Sequence, residues 1–419
     1  MDPAVIAVCT IMCLAGCLLG LFSGIVPGIH VNTLSSLLLV AYPSLQAILS
    51  DYSDPEWTAV SVACCVMSAS IVHSFVDFVP SVFIGAPDDA DAVAVLPGHR
   101  LLLEGEGMRA VRAAASGSMV GASCAIILAV PLQCIMLTSI GENVDGLSQA
   151  VALIAACVII LGSGKGHSIQ WCAVSFTISG MWGMILGDLD IGLEGMLGEG
   201  TVMFPLLSGL FGIPMLLSSS KGASIPEQRD SGKDPTGMTP GIRGVLMGCL
   251  AGWFPGITST VGASMSACVF KERSSEEFIA NVASIGTVTS ILSVVALTVS
   301  GSGRSGTAIV LRELCGESLY GFASTCFLTL MVASALASLI GFYLMIWSGK
   351  MMSRAVSGID ARKVNVCVLL LTTSLVLLLT GPNGLIVLAI STIIGFIPQS
   401  FGISRITLCG CLVMPVLLG

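Results

Sequence analysis

The chain is expected to be an all-α polytopic membrane protein. It reads as two inverted-topology repeats, about 1–240 and 241–419, with broken or re-entrant helices and about 12–14 transmembrane segments. Hydrophobic residues make up 54% of the 419 residues and charged residues only 10%, outside the range of soluble globular proteins. A glycine-spaced phrase also occurs twice, 228 positions apart: Gly16-x3-Gly20-x3-Gly24-Ile25-Val26-Pro27-Gly28-Ile29 and Gly244-x3-Gly248-x3-Gly252-Trp253-Phe254-Pro255-Gly256-Ile257. A third observation is the distribution of basic residues between loops.

Apolar segments of spanning character fall near 3–27, 31–50, 57–84, 109–140, 147–163, 168–188, 201–218, 241–256, 258–270, 278–300, 318–348, 363–380, 384–397 and 405–418. A simple span needs roughly 20 residues. Segments 241–256, 258–270 and 384–397 are shorter, so half-helices or re-entrant hairpins are expected there. The first segment has no basic residue before it and no small-residue cleavage pattern, and it reads as a retained helix. The longest polar stretch, 219–240, reads as the linker between the halves. With fourteen crossings and an outside N-terminus, 15 of the 17 Lys and Arg fall on inside loops and only Arg304 and Arg312 lie outside. That bias predicts a multi-pass protein of the cell membrane with both termini outside.

In each phrase, three glycines at helical spacing allow another backbone to approach closely. The Pro-Gly that follows breaks the helix and frees backbone polar groups. At membrane depth such groups need protein or water partners. Paired breaks, one per half, therefore point to the binding site of a secondary transporter. Polar residues follow both breaks: His30, Asn32, Thr33, Ser35 and Ser36 in the first, and Thr258, Ser259, Thr260, Ser264 and Ser266 in the second. A helix beginning there presents N–H donors and partial positive charge, which suits a carboxylate or phosphate. The alternative is that these small hydroxyl residues only pack helices together.

Further interruptions follow one helix later, Gly85-Ala86-Pro87-Asp88-Asp89-Ala90-Asp91 and Gly301-Ser302-Gly303-Arg304-Ser305-Gly306-Thr307, at an offset of 216. Asp88, Asp89 and Asp91 would repel one another unless neutralised, which makes them candidates for a coupling cation or proton, against the reading of a solvated loop. Ser302, Arg304 and Ser305 are candidates for the substrate anion, although Arg304 has Glu313 and Glu317 as alternative partners. His73 and Asp77, spaced i, i+4 within a span, form either a proton relay or a neutralised structural pair. No cofactor or metal is expected, apart from Na+ or H+ as coupling ion, and no nucleic-acid partner.

Other classes find weaker support. The sixteen cysteines contain no C-x-x-C and mostly lie in apolar runs, as small hydrophobes do. Gly303-Arg304-Ser305-Gly306 matches the G-x-S-G string of intramembrane serine proteases, but no histidine follows position 167. No Walker A string occurs. The chain is therefore not expected to be an enzyme, and a scaffold or channel is the competing class.

The Gly24-Ile25-Val26-Pro27-Gly28 break, the Gly85-Ala86-Pro87 turn, Leu96-x-Gly98-x6-Gly105-x-Gly107-x-Arg109-Ala110-Val111 and Phe204-x4-Gly209-Leu210-Phe211-Gly212-Ile213-Pro214 together resemble the large membrane subunit of tripartite tricarboxylate transporters, the TctA family. The resemblance spans essentially the whole chain. It implies uptake of a small organic anion such as a di- or tricarboxylate, driven by a proton or sodium gradient. It also implies assistance from a small membrane subunit and an extracytoplasmic binding protein. The second-half counterpart of Pro87 is not a proline, and the acidic run at 88–91 departs from the family turn. Polyprenyl-phosphate carriers also use paired inverted halves with glycine-rich breaks, so a lipid-linked phosphate is the alternative substrate. In this reading Pro27, Gly28, His30, Asn32, Thr33, Pro255, Gly256, Thr258, Ser259 and Thr260 surround the anion, and Asp77, Asp88, Asp89 and Asp91 hold the coupling ion.

Overall fold

A computed structural model describes residues 2–418 except 28, 30, 51, 86–93, 139–143, 165–167, 189–191, 196–197, 200–201, 219–223, 255–256, 271 and 302–304. The first half contains α1 (Pro3–Ile25), α2 (Val31–Leu49), α3 (Pro55–Val76), α4 (Phe78–Ile84), α5 (Val95–Leu103), α6 (Gly107–Met136), α7 (Val144–Ser163), α8 (Ser168–Asp188), α9 (Met203–Leu207) and α10 (Ile213–Ser218). A π-turn at Ser208–Gly212 joins α9 to α10. The second half contains α11 (Thr239–Trp253), α12 (Ser259–Val269), α13 (Ser275–Ser300), α14 (Gly306–Cys315), α15 (Thr325–Val356), α16 (Ala361–Gly395), α17 (Ile397–Ser400) and α18 (Gly410–Leu418). A two-residue antiparallel pair, Glu194–Gly195 with Gly198–Glu199, is the strand structure among the described residues. The protein is thus an all-α polytopic membrane protein.

Among the described residues nine helices are long and apolar enough to cross a membrane. That is fewer full crossings than the expected 12–14 segments. The difference lies in α11 and α12, of 15 and 11 residues, and in the short apolar helices Met203–Ser218 and Arg405–Leu418. At 1.5 Å per residue, α11 and α12 reach only about 22 and 16 Å against a hydrocarbon core of about 30 Å. Segments 363–380 and 384–397 fall on either side of Gly381, whose φ of 67° and ψ of −169° interrupt α16 just before Pro382.

Helix starts follow local chemistry. The Asp54 carboxylate accepts the Trp57 N–H at 2.9 Å, ahead of Pro55 in the first turn of α3. Ser274 accepts from Glu277 N–H at 3.2 Å, and Glu276 and Glu277 place negative charge on the first turn of α13. These two helices form the centre: the buried residues of α3 include every position from Thr58 to Val76, and α13 is nearly as enclosed.

The glycine phrases pack on these central helices. Gly16, Gly20 and Gly24 lie against Cys65, Ala69 and Val76, while Gly244, Gly248 and Gly252 lie against Asn281, Ile285 and Leu292. Each partner in the second set stands 216 positions after its counterpart in the first. A Cβ on Gly244 would meet the Asn281 carbonyl oxygen at 2.5 Å, so only glycine permits this backbone contact.

Both phrases open hairpins. In the second half α11 runs parallel to α13, since Gly244 meets Asn281 and Gly252 meets Leu292. Then α12 returns antiparallel: Gly262 lies beside Ile285, Ser266 bonds Asn281 at 2.9 Å, and Phe270 lies under the Arg243 guanidinium. The chain therefore leaves on the side it entered. In the first half α1 runs parallel to α3, and α2 returns so that the Tyr42 hydroxyl meets the Pro55 carbonyl at 3.5 Å. The central helices run in opposite senses. The C-terminal end of α3 leads to α5, whose Leu102 carbonyl accepts from Gln228 of the linker, while the N-terminal end of α13 meets the linker side through Glu276 and Arg109, 2.7 Å apart. The two breaks are therefore approached from opposite sides.

The described part of the linker is an ordered strap. Ile225 pairs with Ile359, Arg229 N–H donates to the Gly105 carbonyl at 2.8 Å, and Gln228 Oε1 accepts from Gly107 N–H at 2.8 Å. Arg112 grips Asp230 with two bonds of 2.6 and 2.9 Å, and Lys350 stands 3.7 Å from the same carboxylate.

Candidate functional site

A cavity of about 270 Å³ lies between the two breaks. The end of α11 (Ala251, Gly252) and Phe254, Ile257, Thr258 and Ser259 form one side, and Val31 and Asn32 at the start of α2 form another. Two quartets line the central helices: Ser70, His73, Ser74 and Asp77 on the α3 side, and Gly286, Thr289, Ser290 and Ser293 on α13. Every member of the second quartet follows a member of the first by 216 positions. The spacing i, i+3, i+4, i+7 keeps each quartet on one helix face.

The two walls differ in chemistry. His73 and Asp77 are both 4% exposed and supply ionisable groups, where α13 has Thr289 and Ser293. His73 Nδ1 is 3.0 Å from Ser23 Oγ of α1, which fixes the ring. Across the cavity, hydroxyls donate back along their own helix: Thr289 to Ile285 O at 2.8 Å, Ser290 to Gly286 O at 3.1 Å and Ser293 to Ser290 O at 2.8 Å. Their protons are engaged, so their oxygens remain as acceptors, the chemistry a cation takes.

Two helix N-termini supply the opposite polarity. Thr258, which lines the cavity, caps α12 by accepting Val261 N–H at 3.4 Å. Ser305, also in the wall, caps α14 by accepting Ala308 N–H at 3.1 Å. Asn32 reaches from the first half to that same helix: its Oδ1 accepts Thr307 N–H at 3.0 Å and Thr307 Oγ1 at 3.1 Å. Ser35 Oγ joins at 3.2 Å from Thr307 Oγ1. The first turns of α12 and α14 thus stand in the cavity wall, their Val261, Thr307 and Ala308 N–H groups held by Thr258, Asn32 and Ser305, with carboxylate and hydroxyl oxygens on the central helices.

Of the residues singled out from the sequence, Asn32, His73, Asp77, Thr258, Ser259 and Ser305 meet at this cavity. Thr260 is fully buried behind the wall, and Thr33 is exposed on the far face of α2. Pro27 is half-buried at the end of α1 and does not line the cavity. Gly28, His30, Asp88, Asp89, Asp91, Pro255, Gly256, Ser302 and Arg304 lie outside the described residues. Among the described residues no cluster of three or more His, Cys, Asp or Glu is arranged to hold a metal ion. The sequence reading passed over Thr307 on α14 and Ser70, Ser74, Thr289, Ser290 and Ser293 on the central helices. The signal for the latter five was available as the 216-residue offset carried back along α3 and α13.

Uncharacterized protein MJ1079 of Methanocaldococcus jannaschii is 24% identical over 331 residues, covering 78% of this chain and 77% of that protein. No solved structure matches the chain. A family model described as the tripartite tricarboxylate transporter TctA family matches residues 10–410. With nearly the whole length matched, the chain belongs to the TctA family of tripartite tricarboxylate transporters.

Proposed function

We propose that this chain is a secondary carrier for a small organic anion, such as a di- or tricarboxylate, driven by a proton or sodium gradient. The observation that carries the reading is the cavity walled by residues flanking both hairpin breaks and by two matched helix faces. The anion sits against the N-termini of α12 and α14, where the positive ends of the helix dipoles favour negative charge. The coupling ion sits on the central helices, with Asp77 as its charged ligand or proton acceptor, His73 beside it and the hydroxyl oxygens of α13 opposite. Asp88, Asp89 and Asp91 remain candidates for the same coupling role.

The two halves act as inverted copies of one unit, 1–240 and 241–419, that rock about this cavity. The opposite senses of α3 and α13 and the constant offset between contact partners support that view. A cavity volume of about 270 Å³ supports a small anion as the substrate. Family membership supports two partners, a small membrane subunit and an extracytoplasmic binding protein. It also favours a carrier over an enzyme.

The test is uptake of radiolabelled citrate, succinate and related acids into proteoliposomes under imposed proton or sodium gradients, with and without Asp77→Asn. Saturable, gradient-dependent uptake that loses its gradient dependence in the variant is expected. Flux that is linear in substrate and indifferent to any gradient would identify a channel instead. Asp88→Asn and Asp89→Asn variants that keep full gradient dependence would remove those aspartates from coupling.

A further inference from the structure

A second cavity, of about 630 Å³, lies on the linker side of the bundle between α5, α10, α17 and the turn at Arg405. It shares no lining residue with the cavity between the breaks. Its described charge is positive: Arg100 and Arg405 face it, against one carboxylate, Glu104, which Arg100 already holds at 3.0 Å. Among the described residues Arg405 bonds to a neutral group, Gln399 Oε1 at 3.2 Å, and no carboxylate pairs with it. His99 is 4% exposed, and neither ring nitrogen has a hydrogen-bond partner among the described residues.

A buried imidazole with unsatisfied nitrogens forfeits hydrogen bonds it would make in water, and burial also holds its pKa below the ordinary histidine range. A partly desolvated guanidinium without a carboxylate adds to that cost. An oxyanion offers acceptors to the guanidinium fork and to one imidazole N–H, both donors suited to carboxylate or phosphate oxygens.

We infer that this cavity is a second oxyanion site, separate from the transport cavity, in which Arg405 and His99 bind a phosphate or carboxylate group. The group reaches it either on a soluble anion or on a lipid headgroup. Trp171 and Phe401, stacked at 3.8 Å and both substantially exposed, stand four positions from Arg405 along the chain at Phe401, as aromatics do at headgroup depth.

The experiment is calorimetric titration of the purified full-length protein in detergent with two probes, inorganic phosphate and dioctanoyl phosphatidylglycerol. Saturable binding of at least one probe is expected, weakened about tenfold or more by Arg405→Gln and by His99→Gln and largely kept by Arg405→Lys. Phosphate binding identifies a soluble oxyanion; binding of the lipid alone identifies a headgroup. Size-exclusion profiles of the variants separate lost binding from lost fold, and the two independent variants cover a failure of either one. Absence of saturable binding of both probes overturns the inference, as does binding that survives Arg405→Gln and His99→Gln unchanged. Binding that falls with Asn32→Ala and not with Arg405→Gln places the oxyanion between the breaks and also overturns it. Since the transport assay above turns on Asp77, the two readings fail separately.

Discussion

Asn32→Ala tests the contact that joins the two halves across the cavity. The Asn32 carbonyl oxygen accepts two bonds from Thr307, one from the backbone N–H at 3.0 Å and one from the hydroxyl at 3.1 Å. Thr307 is the second residue of α14, so its N–H has no partner within the helix, and Asn32 serves as a cap supplied by another element. Measured interhelical bonds in membranes average about 0.6 kcal/mol with a maximum near 1.7, lower than the roughly 1 kcal/mol of soluble proteins. The two bonds together then stabilise the folded state by about 1–2 kcal/mol, a factor of about 5–30 in the folding equilibrium. Reversible unfolding in mixed micelles by added dodecyl sulfate measures this directly. A double-mutant cycle with Thr307→Val isolates the hydroxyl bond, because the valine keeps the backbone N–H, and a coupling energy of about 0.5–1 kcal/mol is expected. Strict additivity, or an Asn32→Ala variant as stable as the parent, would refute the argument that this contact clamps the first hairpin to α14.

Gly244→Ala should destabilise by about 1–3 kcal/mol in the same assay, because its Cβ would meet the Asn281 carbonyl and Ser284 Cβ at 2.5 Å. Gly146→Ala, with nothing within 4 Å of its added Cβ, should be neutral or stabilise by up to about 1 kcal/mol; equal losses for both would sink the close-approach argument. Ser293→Ala removes the counterpart of Asp77 and should weaken the response to the coupling ion about tenfold or less, against complete loss of coupling with Asp77→Asn; the reverse order would move the ion to α13. The Arg112 guanidinium holds the Asp230 carboxyl down to about 2 from the ordinary 3.8. Its stabilisation is therefore fully present above about pH 3.8 and lost as pH falls through about 2, so Asp230→Asn should flatten the acid limb of a detergent unfolding profile in that window. An unchanged limb would show that the strap contributes nothing there.

The legible part of this protein was its covalent pattern. Composition placed the chain in a membrane, and Pro27, Pro255 and the short 384–397 segment marked helix interruptions that φ/ψ sterics require. The short stretches 241–256 and 258–270 announced helices too short to span, and α11 and α12 are of that kind. Asn32, Asp77, Thr258, Ser259 and Ser305 were also within reach, since a polar residue beside a break in an apolar run has few other places to go. Thr33 shows where that reasoning stops. Its neighbour Asn32 faces Thr307, and one residue is a rotation of about 100° on a helix, which turns Thr33 to the outside.

What the chain by itself determined is local: where helices start, where they break, and which stretches avoid water. These depend on backbone sterics, capping and hydrophobicity, which act over a few residues. Only the tertiary structure decided that Asn32 would cap α14 some 275 positions away, that the quartets on α3 and α13 would face one another, and that His99 and Arg405 would share a cavity. Such pairings depend on which helix faces come within van der Waals reach. That is fixed by the whole set of backbone approaches, Gly16 on Cys65 and Gly244 on Asn281 among them, and no single segment contains the information.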